Sequence, residues 1–223
     1  MDIKTSIVIP FYNNPDIFFN LVQGLMKHES KNIDEIVFVD DASIDDVEFA
    51  QIGDSINVRL VTNYRNLGFT HSSNKGLQST YRGIGEQRSV FLISTDVTIN
   101  GKFIQQANDI LFGARRHLIG NKLLSRDTGW NTFDGVTYSY LEGWFLGATS
   151  DGWRDIGYFD ENYAPHDFED VDLSQTAKTK GYKLTPLNNP YITHKGGGSI
   201  GYSPEREAIT NRNREYFRRK WVK

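Results

Sequence analysis

With 223 residues, 38% of them hydrophobic and 24% charged, the chain has the make-up of a globular protein and room for one well-filled α/β domain or two small ones. Its formal net charge of −3 provides no overall attraction to nucleic acid or to an anionic membrane. The lack of cysteine excludes disulfides and thiolate metal sites and is compatible with the default cytosolic location.

The opening MDIKTSIVIPFYNN has an acid at position 2 and no small-residue cleavage site, and its apolar stretch is limited to SIVIPF. It does not read as a signal peptide, and no later apolar run approaches the ~18 residues of a membrane span. TSIVIPF and EIVFVDD are short β-branched runs, the pattern of strands buried on both faces. Between them Ile17, Leu21, Leu25 and Met26 fall at helical spacing, which makes a βαβ unit. NVRLVTN reads as a third strand. THSSNKGLQSTYR reads as a helix with Thr70 as its N-cap, and SVFLISTD as a fourth strand ending in Asp96. Such alternation predicts a mostly parallel sheet with helices on both faces. Ligands of these sheets bind beyond the carboxyl ends of the strands, the edge that carries Tyr12, Asp40, Asp41 and Asp96.

The second half differs, with a composition shift near residue 125. TGWNTFDGVTYSYLEGWFLGATS is aromatic and punctuated by glycine, which predicts hairpin-like strands on the sheet edge. FEDVDLSQTAKTKG reads as a helix closed by Gly181. YKLTPLNNPYITHKGGGSIG gives two short strands and then a glycine-rich loop able to approach a phosphate. In the tail, SPEREAITNRNREYFRRKWVK, Ile209, Tyr216, Phe217 and Trp221 fall near one helical face among basic residues. It reads either as a solvated amphipathic helix or as a contact for an anionic acceptor, a membrane surface or a second subunit in a homodimer.

The acids carry the chemistry. Three of them on one ligand-binding edge attract a cation or a polar ligand, although Asp41 or Ser43 can instead cap a helix over DDVEFAQI. HDFEDVDLS places Asp167, Glu169, Asp170 and Asp172 at one helix start. From the residues alone, Asp167 caps the helix and Asp170 completes a capping box, with first-turn acids favoured by roughly 0.3–1 kcal/mol each. His194, before KGGGS, is either a surface histidine or a metal ligand.

Taken in order, SIVIPFYNN, IVFVDDAS, NLGFTHSSNKG, LISTDV, GYFDENYAPHDFEDVDL, HKGGGS and NREYFRRKW resemble the family 2 glycosyltransferases with the GT-A fold, in particular their rhamnosyltransferase-like branch. The resemblance covers nearly the whole chain. It implies a Rossmann-like, mostly parallel central sheet with helices on both faces and a small antiparallel sheet on the acceptor side. Residues 1–223 form one expected domain, with 1–100 as the nucleotide-sugar half and 125–223 as the acceptor-binding and catalytic half.

The resemblance assigns the donor to Pro10, Tyr12, Asp40, Asp41, Gly68, Asn74, Thr95 and Asp96, and a divalent cation, Mn²⁺ or Mg²⁺, to Asp96 and His194. The DxD position reads Ser94-Thr95-Asp96, so its first acid is missing; one or two carboxylates plus phosphates suffice for Mg²⁺, and Mn²⁺ accepts the imidazole more readily. Asp170 is the expected general base, Glu169 its neighbour orienting the acceptor, and Trp144 either an acceptor platform or a core residue. The implied partners are a UDP- or dTDP-linked sugar and a glycan or glycolipid acceptor, without nucleic acid, and the implied reaction is an inverting transfer. The alternatives are a nucleotidyltransferase, against which PFYNNPDIF lacks the required glycine, and a non-catalytic sugar-nucleotide or glycan-binding protein of the same fold.

Overall fold

The sheet starts from β1 (Lys4–Phe11), which pairs in parallel with β2 (Glu35–Asp40) on one side and β4 (Arg88–Ile93) on the other. The structure, a computed structural model, describes residues 3–44, 56–195 and 203–222, with the backbone alone at 15–17. Helix α1 (Pro15–Glu29) carries the chain from β1 back to β2, and β3 (Asn57–Thr62) adds to the outer edge of β2. Helix α2 (Gly68–Ser79) then returns it to β4. Alternate residues explain the continuous apolar runs. Ile7, Ile9, Ile36 and Phe38 pack on the α1 side, and Val8, Val37 and Val39 pack with Leu77 of α2 on the other. A strand covered on both faces loses the polar alternation of a half-exposed one.

Past β4 come β5 (Val97–Ile99), α3 (Ile104–Leu111), β6 (His117–Gly120), β7 (Leu123–Leu124), β8 (Thr132–Phe133), β9 (Val136–Thr137), β10 (Tyr140–Leu141) and β11 (Phe145–Thr149). They are followed by α4 (Ser150–Ile156), α5 (Glu169–Thr179), β12 (Lys183–Pro186), β13 (Ile192–His194) and α6 (Pro204–Trp221). The main sheet runs β12-β6-β11-β4-β1-β2-β3, and β11 is antiparallel to both its neighbours. The sheet is thus mostly parallel, with strands from both halves of the chain.

Three expectations need correction. The segment 145–149 does not lie on the sheet edge: its residues are apolar on both faces, so it is drawn between β4 and β6. The remaining aromatic strands form separate two-stranded ladders, β8 with β9 and β10 with β7, beside β5 with β13. Thr70 is not an N-cap, since α2 begins at Gly68 and the Thr70 hydroxyl donates to Pro165 O. Gly181 does close α5: at φ 80°, its N–H reaches Lys178 O and that of Tyr182 reaches Ala177 O, the paired bonds of a Schellman motif.

The tail is a docked helix rather than a solvated one. Ser203 caps α6 by accepting from Arg206 N. Phe217 is 0% exposed and stacks on Phe133 at 5.3 Å within a cluster that includes Tyr163, Phe168 and Val171. Lys220 bonds Asp160 and Asp172, and Arg206 bonds Asp167. Arg206 and Lys220 thus pair with acids of the domain, while Arg212, Arg218 and Arg219 stay exposed on the outer face. Among the described residues, no helix is long and apolar enough to cross a membrane. Truncating a buried phenylalanine to alanine costs about 3–5 kcal/mol, so Phe217→Ala should lower the urea-unfolding free energy by that amount; a loss below about 1 kcal/mol would show that α6 is not packed in solution.

Candidate active site

The chain builds β1, β2 and β3 to one side and then places β4 on the other side of β1. This is a topological switch point, where the crevice of an open α/β sheet forms. Pairing of β1 with β4 stops at Val8 opposite Leu92, whereas pairing with β2 continues to Phe11 opposite Asp40. Pro10 falls in the stretch that β4 no longer pairs, an edge-like position that tolerates a residue without an N–H. Tyr12 follows it, 46% exposed. Asp40 ends β2, half-buried, and accepts from Ser43 N at 2.8 Å. The ends of β1 and β2 are tied together by Asn13 N donating to Ser43 Oγ and Ile44 N donating to Asn13 Oδ1, both at 2.8 Å.

Three residues expected to bind donor have partners within the fold. Asp41 is buried and accepts Asn63 Nδ2, Leu67 N and Gly68 N, each at 2.8 Å, so it holds the amino end of α2. Gly68 has φ 83°, and a Cβ there would lie 2.2 Å from Pro165 Cβ; its glycine permits the approach of the 165 loop. The buried Asn74 amide donates to Phe159 O (2.9 Å) and Glu161 Oε1 (3.0 Å) and accepts from Phe159 N (2.9 Å). Buried polar groups need partners, and these have theirs within the protein. The helix over DDVEFAQI lies outside the described residues.

The turn after β4 places Thr95 and Asp96 at its centre, with Val97 N donating to Ser94 O. Strand β13 pairs antiparallel with β5, His194 opposite Val97, and Lys195 N donates to Asp96 O. That pairing sets His194 Nε2 3.1 Å from the buried Asp96 Oδ2, across 98 residues of sequence. The Trp144 ring lies parallel to the His194 imidazole, 4.9 Å between centroids, and Trp144 O accepts Ser94 N at 2.9 Å. Trp144 therefore has one face covered by His194, which leaves at most the other for a sugar. One carboxylate beside one imidazole fits a divalent cation that completes its shell with phosphate oxygens and water. Among the described residues no group of three or more His, Asp or Glu could hold a metal, so these two residues form an incomplete ligand set by themselves. Gly196, Gly197 and Gly198 of the glycine-rich loop lie outside the described residues.

The acidic helix start departs from the capping reading. The N-cap of α5 is Phe168, φ 74°, without a side-chain cap bond, and Asp167 before it has φ 73°. Asp167 turns to α6, where Arg206 Nη2 (3.0 Å) and Nε (3.2 Å) and Thr210 Oγ1 (2.7 Å) bond its carboxylate. Burial pushes this carboxyl up, but the hydrogen bonds from His166, Arg206 and Thr210 together outweigh it and hold it well below the ordinary value. Asp172 is structural, 2% exposed, and bonds Tyr163 Oη (3.0 Å), Trp221 Nε1 (2.7 Å) and Lys220 Nζ (3.0 Å).

Asp170 differs from both. Its Oδ2 accepts Gly143 N at 2.9 Å and its Oδ1 accepts Val171 N at 2.7 Å, with no cation among these partners. Burial raises its pKa, the two amide bonds lower it, and the charges of Glu142 and Asp167 raise it again, for a net value of about 7. Glu169 is buried, its Oε2 without a hydrogen-bond partner among the described residues. Burial, and then the charge of Asp170, raise its pKa well above normal.

Gly143 and Trp144 are consecutive, so a single peptide joins the amide that holds Asp170 to the indole that stacks on the His194–Asp96 pair. Gly143 was not among the expected site residues: a Cβ there would lie 3.2 Å from Asp170 Cβ. Glu142 and Tyr140 were likewise missed. The Tyr140 hydroxyl is pushed up by burial and by the charges of Asp170 and Glu142, and no motif flagged either residue.

Residues 6–82, from β1 to just past α2, match a protein-family model described as glycosyl transferase family 2. No curated protein matches the chain. Among solved structures, mannosyltransferase PcManGT from Pyrobaculum calidifontis, in complex with GDP-Man and Mn²⁺, matches with a TM-score of 0.62 and 16% identity over 82% of this chain and 54% of its own. S. aureus TarS 1-349 in complex with UDP-GlcNAc matches at 0.63 and 18% identity, over 99% of this chain and 76% of its own. GalNAc-T7 with UDP, GalNAc and Mn²⁺ matches at 0.69 and 13% identity, over 96% and 50%. At such identities the likeness is one of fold, and the chain spans about half the length of the mannosyltransferase and of GalNAc-T7.

The depressed Asp167 carboxyl sets a pH dependence. Its stabilisation is complete above the unfolded carboxylate pKa of about 4 and is lost as pH falls through the depressed folded value. Asp167→Asn should cost roughly 1.5–3 kcal/mol at pH 7, as for hydrogen bonds to a charged group, with the difference shrinking below about pH 4. Urea denaturation across that range checks it; a difference independent of pH would show that the charge is not what Arg206 and Thr210 hold.

Proposed function

The chain carries a family 2 glycosyltransferase segment on a GT-A fold, and from that premise we propose that it is an inverting glycosyltransferase. It moves a sugar from a UDP- or dTDP-linked donor to a hydroxyl of a glycan or glycolipid acceptor. The observation that carries this reading is a carboxyl with a pKa near neutrality, Asp170, joined through Gly143–Trp144 to the Asp96–His194 pair.

In this reading the nucleotide lies across the switch point. Its base borders Pro10 and Tyr12, Asp40 receives the base or ribose, and its diphosphate points towards Thr95, Asp96 and His194. Asp96 and His194 would hold a divalent cation, which when bound would supply Lewis-acid neutralisation of the leaving diphosphate. Asp170 takes the proton of the acceptor hydroxyl, a role worth typically 10²–10⁴-fold. The hydroxyl oxygen forms its bond to the anomeric carbon as the bond to the diphosphate breaks on the opposite face. One such displacement inverts the anomeric centre. The transition state has oxocarbenium character, as in glycoside hydrolysis. Glu169, whose burial and the adjacent Asp170 charge favour its protonated form, offers the acceptor an O–H donor, and the uncovered face of Trp144 packs on its sugar.

A base must be ionised to act. Activity under subsaturating acceptor should therefore rise with pH through about 7 and level off above. Asp170→Asn should bind donor as the wild type does and transfer at least ~100-fold more slowly. Near-normal transfer by that variant would remove Asp170 as the base.

The donor can be found by screening UDP-, dTDP- and GDP-sugars for a rise in Tm with and without Mn²⁺, since a ligand of the folded state raises apparent stability. With the donor so identified, Asp96→Ala should weaken its binding at least ~10-fold in Mn²⁺, about 1.4 kcal/mol. An unchanged Kd by calorimetry would take Asp96 out of the metal site.

A further inference from the structure

Asp170 owes its place to a backbone conformation that its own helix does not stabilise. Asp167 and Phe168 are consecutive non-glycine residues at φ 73° and 74°. This region costs an L-residue roughly 1–2 kcal/mol each, and it persists only where surrounding contacts over-determine it. The N-cap position of α5 makes no side-chain cap bond. The restraint comes from α6, 39 or more residues further along.

Asn213 lies at the centre of that restraint. It is 0% exposed, and its Nδ2 donates to Tyr163 O (2.7 Å), His166 O (2.8 Å) and Asp167 O (2.8 Å). Its Oδ1 accepts Arg212 Nε (3.0 Å) and Nη2 (2.8 Å), which fixes the amide with its donor end toward the three carbonyls. Arg212 Nη2 also donates to Ala164 O. Arg206, Thr210 and Asn213 fall four and then three positions apart, which puts them on one face of a helix. The first two hold the Asp167 carboxylate and the third holds the main chain around it. Three carbonyls within reach of one side-chain NH₂ group constrain the whole turn from Tyr163 to Asp167. The turn ends two residues before Glu169 and three before Asp170.

We propose that Asn213 is the positioning residue for Asp170: it locks the 163–167 turn so that the half-buried carboxylate meets the Gly143 amide. The inference rests on the reading of Asp170 as the base, but it concerns where that carboxylate sits rather than what it does. Among the described residues Asn213 shares no hydrogen bond with β1, β2 or β4, and the turn it holds meets α2 where Pro165 O accepts from Thr70. A positioning role therefore alters the state of Asp170 and leaves nucleotide binding intact, whereas general loosening of the fold weakens both.

The test is the titration of Asp170, followed by ¹³Cγ NMR in full-length protein labelled at aspartate and assigned with Asp170→Asn, alongside Kd for UDP, GDP or dTDP, whichever raises the wild-type Tm with Mn²⁺. In Asn213→Ala the midpoint should fall by at least one pH unit towards the ordinary carboxylate value, the acid limb of the transfer rate should move with it, and the nucleotide Kd should stay within twofold. Thr210→Val, which removes only the hydroxyl that bonds Asp167, should shift the midpoint the same way by less, and it decides the matter if Asn213→Ala does not fold. A wild-type midpoint in Asn213→Ala, or in Thr210→Val where that variant stands alone, overturns the proposal, as does a midpoint shift accompanied by equal loss of nucleotide binding. Transfer that survives in Asp170→Asn would instead strike the base assignment, with the titration shift still reporting the positioning.

Discussion

Each carboxylate taken out of water costs several kcal/mol unless hydrogen bonds or a cation replace the lost hydration, and this chain buries several of them far apart in sequence. Most are compensated inside the protein. Glu29 accepts the amides of Phe103 and Ile104 and so holds the start of α3. Glu35 accepts from Arg59, Arg82 and Ser6 at the amino end of the sheet. Asp41 holds α2, and Asp172 gathers Tyr163, Trp221 and Lys220. Each of these acids binds elements remote from it in the chain, because a buried charge is satisfied only where a second element brings its donors.

Glu169 and Asp170 stand apart because their compensation is incomplete. Asp170 has two backbone amides and no cation among its partners, and Glu169 keeps one oxygen unpartnered. Incomplete compensation is what raises a carboxyl towards neutrality, where a proton acceptor is most effective. Perturbed acids cluster at functional sites, and structural ion-pair networks perturb them too. Here the perturbed acid accepts a hydrogen bond from Gly143, the residue before Trp144, whose ring stacks on His194.

The architecture divides the tasks. The parallel strands β1, β2 and β4 create the switch-point crevice, with Asp40 and Asp96 at their carboxyl ends. The antiparallel β11, drawn into the sheet beside β4, delivers Gly143 and Trp144 to that crevice from the second half of the chain. Helix α6 then fixes the turn before α5 from outside, through Arg206, Thr210 and Asn213. One face of the tail helix thus clasps the turn, while Arg212, Arg218 and Arg219 are exposed.

The sequence by itself determined the alternation of strands and helices up to β4, the two-sided burial of β1 and β2, the Schellman end of α5, and the acids of the crevice edge. All of these follow from local rules: residue spacing, β-branched runs and the left-handed freedom of Gly181. Only the tertiary structure decided which partners each acid has. Asp41, Gly68 and Asn74 carry the same side chains whether they face a ligand or a neighbouring segment, and their partners, Leu67, Pro165 and Phe159, are brought to them by the fold. Asp167 and Asp172 read like Asp170 along the chain, yet Arg206 and Lys220 neutralise the first two while the third meets only amides. Charge compensation depends on distances in space, and a sequence records only distances along the chain.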